Sequence, residues 1–151
     1  MKFTITLLLL IISNFCFSQI DDHHKNEFGM ANSPVLFIQS KEITYGIHFH
    51  YVRHIKTSKF GIGLAYERIF DDHKHNTFGA VLAYSPIENW TLSVSPGVTY
   101  EGATGDIMPS IHLETTYEFE MGHFHIGPLF EFAIDPEDNH ISLGLHLGYG
   151  F

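Results

Sequence analysis

Leu143-Gly144-Leu145-His146-Leu147-Gly148-Tyr149-Gly150-Phe151 places a large apolar side chain at every second position and finishes on an aromatic residue. In a strand, successive side chains point to opposite faces, so Leu143, Leu145, Leu147, Tyr149 and Phe151 share one face. Gly144, His146, Gly148 and Gly150 share the other. Glycines and a histidine do not pack a water-soluble core. The bulky face must therefore meet an apolar solvent, and the small, polar face must line the inside of a closed sheet.

The pattern repeats upstream. Turn-like clusters cut the chain into eight segments, near 26–38, 43–53, 59–70, 77–86, 90–101, 109–120, 123–134 and 139–151. Each is close to the ~10 residues that a tilted membrane strand needs. Ile43, Tyr45, Ile47, Phe49 and Tyr51 oppose Thr44, Gly46, His48 and His50, and Phe60, Ile62, Leu64 and Tyr66 oppose Gly61, Gly63, Ala65 and Glu67. Ile111, Leu113, Tyr117 and Phe119 oppose Ser110, His112, Glu114, Thr116 and Glu118; Phe124, Ile126, Phe130, Phe132 and Ile134 oppose His123, His125, Gly127 and Glu131. Aromatics gather toward the ends of the outward rows, as interfacial girdles do. Asn32 and Pro34 interrupt the first segment, which predicts a bulge or frayed start there. The fold class expected is all-β, an eight-stranded antiparallel up-and-down transmembrane β-barrel.

The first residues point to export. Lys2 precedes the apolar run Leu7–Ile12, too short to span a bilayer and followed by small and polar residues. Residues 1–18 read as a signal peptide, residues 19–27 as a histidine-containing tail and residues 28–151 as the barrel. Phe15 before Cys16 argues against a lipoprotein leader, so the chain's one cysteine leaves with the peptide. A net charge of −9, one unit more negative without Lys2, repels phosphate and excludes nucleic acid as a partner. A monomer facing outer-membrane lipid is expected.

The chain resembles the small eight-stranded outer-membrane barrels of the OmpX and OmpA type, and the porin-like barrels of Bacteroidota in particular. The likeness covers residues 28–151 and rests on the terminal Tyr149-Gly150-Phe151 and on the leader ending in Ser18-Gln19. It implies that Tyr149 and Phe151 form an aromatic signal read by the barrel-assembly machinery. It also implies a periplasmic N-terminus, with loops near 39–42, 71–76, 102–106 and 135–138 facing outward. These loops are shorter than those of many relatives. The interior carries histidine where the OmpA type has arginine and lysine facing carboxylates.

Twelve histidines among 151 residues are the one compositional excess that suggests chemistry. His48 and His50 share an inward face, as do His123 and His125; residues two apart on a strand lie ~6.6 Å apart and can reach one ion. A two-residue turn at Met121-Gly122 would set Glu120 opposite His123, Glu118 opposite His125 and His112 opposite Glu131. The interior cluster thus comprises His48, His50, Glu67, His112, Glu114, Glu118, Glu120, His123, His125, Glu131 and His146, in a barrel too narrow for an open channel. Imidazole suits zinc, copper or nickel. His23 and His24 in the tail, with His73 and His75 in an outer loop, are the candidate capture ligands, although no cofactor is required by the pattern.

Two small barrel families, the lipid A deacylases and palmitoyltransferases, act on lipid. His140-Ile141-Ser142 is similar to the deacylases' His-x-Ser pair, with Glu131 as the acid it would need. Alternation turns Ser142 inward, however, and the family's pair faces lipid. The expected role is therefore structural, or binding of a small ligand or metal at the cell envelope, without catalysis; a metal-uptake accessory and a deacylase-like enzyme are the alternatives.

Overall fold

The computed structural model describes residues 24–151. The leader, the tail up to residue 23 and with it His23 lie outside the described residues. The strands are β1 (Asn26–Phe37), β2 (Ile43–His54), β3 (Phe60–Ile69), β4 (His75–Ile87), β5 (Trp90–Glu101), β6 (Ile107–Tyr117), β7 (Phe119–Met121), β8 (Phe124–Ile134) and β9 (His140–Gly150). Every neighbouring pair is antiparallel, and β1 pairs with both β2 and β9, which closes the sheet. β6 and β7 keep one register against β8, Thr116 facing Leu129 and Phe119 facing Ile126, so they are a single strand interrupted at Glu118. The result is a closed eight-stranded antiparallel β-barrel, with no helix among the described residues.

Exposure follows the alternation and inverts the usual rule. Ile43, Leu64 and Leu143 are about two-thirds or more exposed, whereas Glu131 and His146 are fully buried. Such an apolar outer surface is far larger than a water-soluble monomer presents. Aromatic pairs ring both ends: Tyr66–Phe78 at 4.8 Å and Tyr45–Phe70 at 6.2 Å toward one, Phe60–Tyr84 at 5.0 Å and Phe124–Tyr149 at 4.9 Å toward the other. Residues 38–42, 70–74, 102–106 and 135–139 form the loop end, and the tight turns lie at the other end.

Two local expectations are corrected. β1 runs in unbroken register against β2, from Asn26–Arg53 to Leu36–Ile43, so Pro34 makes no bulge. Its side chain is exposed, and its missing N–H falls where the β1–β9 pairing is interrupted between Asn32–Leu145 and Val35–Ser142. The register shift occurs instead between Tyr84 and Ile87, around Pro86. The second correction concerns the β7–β8 turn, which is Gly122–His123 with Met121 paired to Phe124. Gly122 at φ 70° supplies the left-handed first position that a two-residue hairpin favours. The register thereby moves by two residues, which keeps every face but changes every partner. Glu114 now stands opposite Glu131, His112 opposite Ala133 and Glu120 opposite His125.

The interior is filled asymmetrically. β3, β4 and β5 contribute mostly short side chains, among them Gly61, Gly63, Ala65, Gly79, Ser95 and Gly97, with Glu67, His75 and Glu101 near the loop end as exceptions, while β1, β2, β6, β8 and β9 contribute most of the long ionisable ones. Val35, Phe37 and Ile69 form an apolar cluster toward the loop end; Val52, Val81 and Ala83 form another toward the turn end. Two glycines make room for imidazole rings. A Cβ on Gly148 would collide with the His125 ring, and one on Gly29 with those of His50 and His146.

Gly148→Ala is therefore expected to lower the unfolding free energy by about 1–3 kcal/mol through overpacking. Urea unfolding in detergent micelles checks this, and an unshifted midpoint would show that His125 yields freely.

Candidate metal centre

Inward parity brings Glu67 of β3, His112 of β6, Glu131 of β8 and His140 of β9 to one point toward the loop half of the barrel, each buried. The Nδ1 of His112 lies 3.6 Å from Oε2 of Glu67 and 3.2 Å from Oε1 of Glu131. The Nε2 of His140 lies 3.7 Å and 3.4 Å from the same two oxygens. These four atoms are thus mutually adjacent, all within 4.8 Å of one another. A tetrahedral zinc ion with bonds of ~2.0–2.2 Å spaces its ligand atoms ~3.3–3.6 Å apart. The four nitrogen–oxygen separations match that spacing.

Hydrogen bonding leaves the cluster under-satisfied. His112 Nδ1 bonds Glu131 at 3.2 Å, but both nitrogens of His140, Oε2 of Glu67 and Oε2 of Glu131 are buried without a hydrogen-bond partner. Such atoms are costly unless something else engages them. A void of about 10 Å³ opens beside the cluster, lined by His48, Ala65, Glu67, Thr77, Gly79, Ser95 and His112, with room for about one water or ion. His48 stands behind the carboxylates: its Nδ1 is 3.5 Å from Glu131 and 3.5 Å from Glu114. It stands between the two glutamates that the register sets face to face, near the outer oxygen of Glu131 without hydrogen-bonding it.

A second group fills the turn half. Glu27 of β1 receives His50 and His54, each at 3.2 Å, and His125 at 3.4 Å. His146 stacks between His50 and His125, with ring centroids 5.0 and 5.2 Å away, and its Nδ1 is 3.8 Å from Glu118.

Of the expected interior residues, His48, His50, Glu67, His112, Glu114, Glu118, His125, Glu131 and His146 do lie in these two groups. Glu120 and His123 do not. Both lie at the turn-end rim and are exposed; His123 has become a turn residue and packs on His24 at 4.6 Å. The outer-loop pair is also redrawn. His75 begins β4 and is buried on Asp71 at 2.6 Å, whereas His73 remains in the loop and bonds Glu101. Although their rings stack at 5.6 Å, each thus serves a different carboxylate. His140, Glu27, His54, Asp71 and Glu101 complete the groups, and strand parity alone could have found the first two. His140 shares the inward face of β9 with Ser142, two residues on. The hydroxyl of Ser142 is buried without any hydrogen-bond partner, so the pair shows no nucleophile–base contact.

No protein-family model matches the chain, and no curated protein matches it in sequence. Solved structures do resemble it. Neisserial surface protein A aligns over 87% of this chain and 100% of its own, with TM-score 0.59 and 8% identity. Ail, the attachment invasion locus protein of Yersinia pestis, aligns over 83% and 96%, with TM-score 0.54 and 15% identity. The N-terminal β-barrel domain of Pseudomonas aeruginosa OprF aligns over 86% and 100%, with TM-score 0.52 and 15% identity. At these identities the likeness is one of fold, that of small outer-membrane barrels.

The hydrogen bond that His73 donates to the Glu101 carboxylate holds the imidazole above the ordinary value near 6.5, burial opposing it. A raised value means that protonated His73 stabilises the loop fully below the ordinary pKa and loses that effect as pH rises through the raised one. An NMR titration should find His73 shifted upward and Glu101→Gln should return it; an ordinary midpoint in the parent would contradict the contact.

Proposed function

We propose that this chain is an outer-membrane barrel that binds one divalent transition-metal ion of the zinc class in its interior, with Glu67, His112, Glu131 and His140 as ligands. The observation that carries the reading is the set of four nitrogen–oxygen separations of 3.2–3.7 Å among the same four buried atoms. Two imidazoles and two carboxylates form a neutral set around a dication when the histidines are unprotonated, which removes the cost of burying two lone carboxylates. The apolar outer face meets acyl chains, and Tyr149 with Phe151 serves the assembly machinery. Outer-membrane residence is supported by the exposed apolar surface, the girdles and the resemblance in fold.

A second reading has its own observation. The His112–Glu131 hydrogen bond at 3.2 Å stands without any metal, as a purely structural polar core would require. Metal content separates the two. Protein refolded in detergent and dialysed should retain one zinc ion per chain, measured by elemental analysis and calorimetry. Glu67→Gln and His140→Leu should weaken binding by at least ~100-fold, because losing a direct ligand costs more than the ~10–100-fold of an outer-shell partner. No stoichiometric zinc would leave the structural core as the function.

A further inference from the structure

We propose that the interior is a relay, in which a metal ion bound at the central cluster passes by ligand exchange along the barrel axis between the two ends. The inference rests on a metal occupying the central cluster and adds passage to binding.

Three further groups of buried or half-buried ligands follow the central one, and each shares a member with the next. His48, His50 and Glu114 form the first; His50 recurs with Glu27 and His146; His146 recurs with Glu118 and His125. His48 joins this series to the central cluster through its 3.5 Å approach to Glu131. An ion leaving one group therefore already touches a ligand of the next. Groups that share a histidine cannot fill together, which is the arrangement that lets ions move rather than lodge.

The free valences lie along the same path. Both nitrogens of His48, both of His146 and Nε2 of His125 are buried and make no hydrogen bond. A merely structural core would pair these atoms. The ~10 Å³ void at the centre admits a dehydrated ion and nothing larger, so the relay excludes hydrated solutes.

The loop end carries an entrance and a constriction. The Phe37 ring packs against both His75, which bonds Asp71, and His140, its cross-strand partner, with centroids 5.6 Å and 5.3 Å away. Phe37 packs with Val35 and Ile69 into an apolar layer. A cation handed from His75 to His140 moves past this ring, which packs against both imidazoles. Phe37 is thus the gate, and Glu27 with His54 the exit at the opposite rim.

Reconstitution into liposomes holding a membrane-impermeant zinc indicator tests the relay, with zinc chloride added outside. Wild-type protein should admit zinc at least tenfold faster than protein-free vesicles while trapped fluorescein stays inside. Phe37→Ala should speed entry. His146→Leu should cut it at least tenfold yet keep one zinc ion bound at the centre; should that variant fail to fold by its boiled and unboiled gel mobility, His50→Gln interrupts the same step. Protein that binds zinc but admits no more than empty vesicles overturns the relay and leaves the binding site standing. Protein that binds none removes both.

Discussion

A closed sheet between lipid and its own lumen has two solvents to satisfy, and each residue of each strand must choose one. No water reaches the outer face to solvate a polar group there, and eight strands leave an interior only wide enough for side chains. Everything inside must therefore find its partners inside. That constraint explains why most of the long ionisable side chains, from β1, β2, β6, β8 and β9, face a wall of β3, β4 and β5 built largely of glycine, alanine and serine. It also explains Gly29 and Gly148, whose missing side chains are the space that His50, His146 and His125 occupy.

Histidine suits such a lumen for a reason that lysine and arginine do not share. Neutral imidazole can be buried without leaving a charge uncompensated, offers one donor and one acceptor, and becomes a metal ligand once deprotonated. The core accordingly tolerates Glu114 directly across from Glu131, because His48 sits between them at 3.5 Å from each. What the arrangement does not achieve is full hydrogen bonding. The orphaned nitrogens of His48, His140 and His146 belong to β2 and β9, the strands flanking β1, and this imbalance, more than the number of histidines, is what the proposed metal-binding reading rests on.

The loop end is tied more tightly than its short, polar segments suggest. Asp138 accepts the backbone N–H groups of Gln39 and Ser40 at 2.8 Å each, and Asn139 donates its backbone N–H to the Gln39 side chain at 2.9 Å. The amides of Gly102 and Ala103 reach the carbonyls of Lys74 and His73 at 3.2 and 3.1 Å. Neighbouring loops are thereby stitched in pairs around the mouth, which holds Asp71, His73, His75 and Glu101 in place above Phe37.

Parity was legible in the residues alone. Large and small side chains alternate with period two, so the strand count, the face each strand residue takes and the outward girdles follow from spacing, and a slip of two residues leaves that parity unchanged. Partnership was not legible. The Gly122–His123 turn shifted one hairpin, removing Glu120 and His123 from the lumen and setting carboxylate against carboxylate. The contacts of His140 with Glu67, and of His48 with Glu114, cross the lumen between strands that do not pair with each other. Their relative heights depend on the stagger with which the whole sheet closes, a property of all eight strands together that no local pattern encodes.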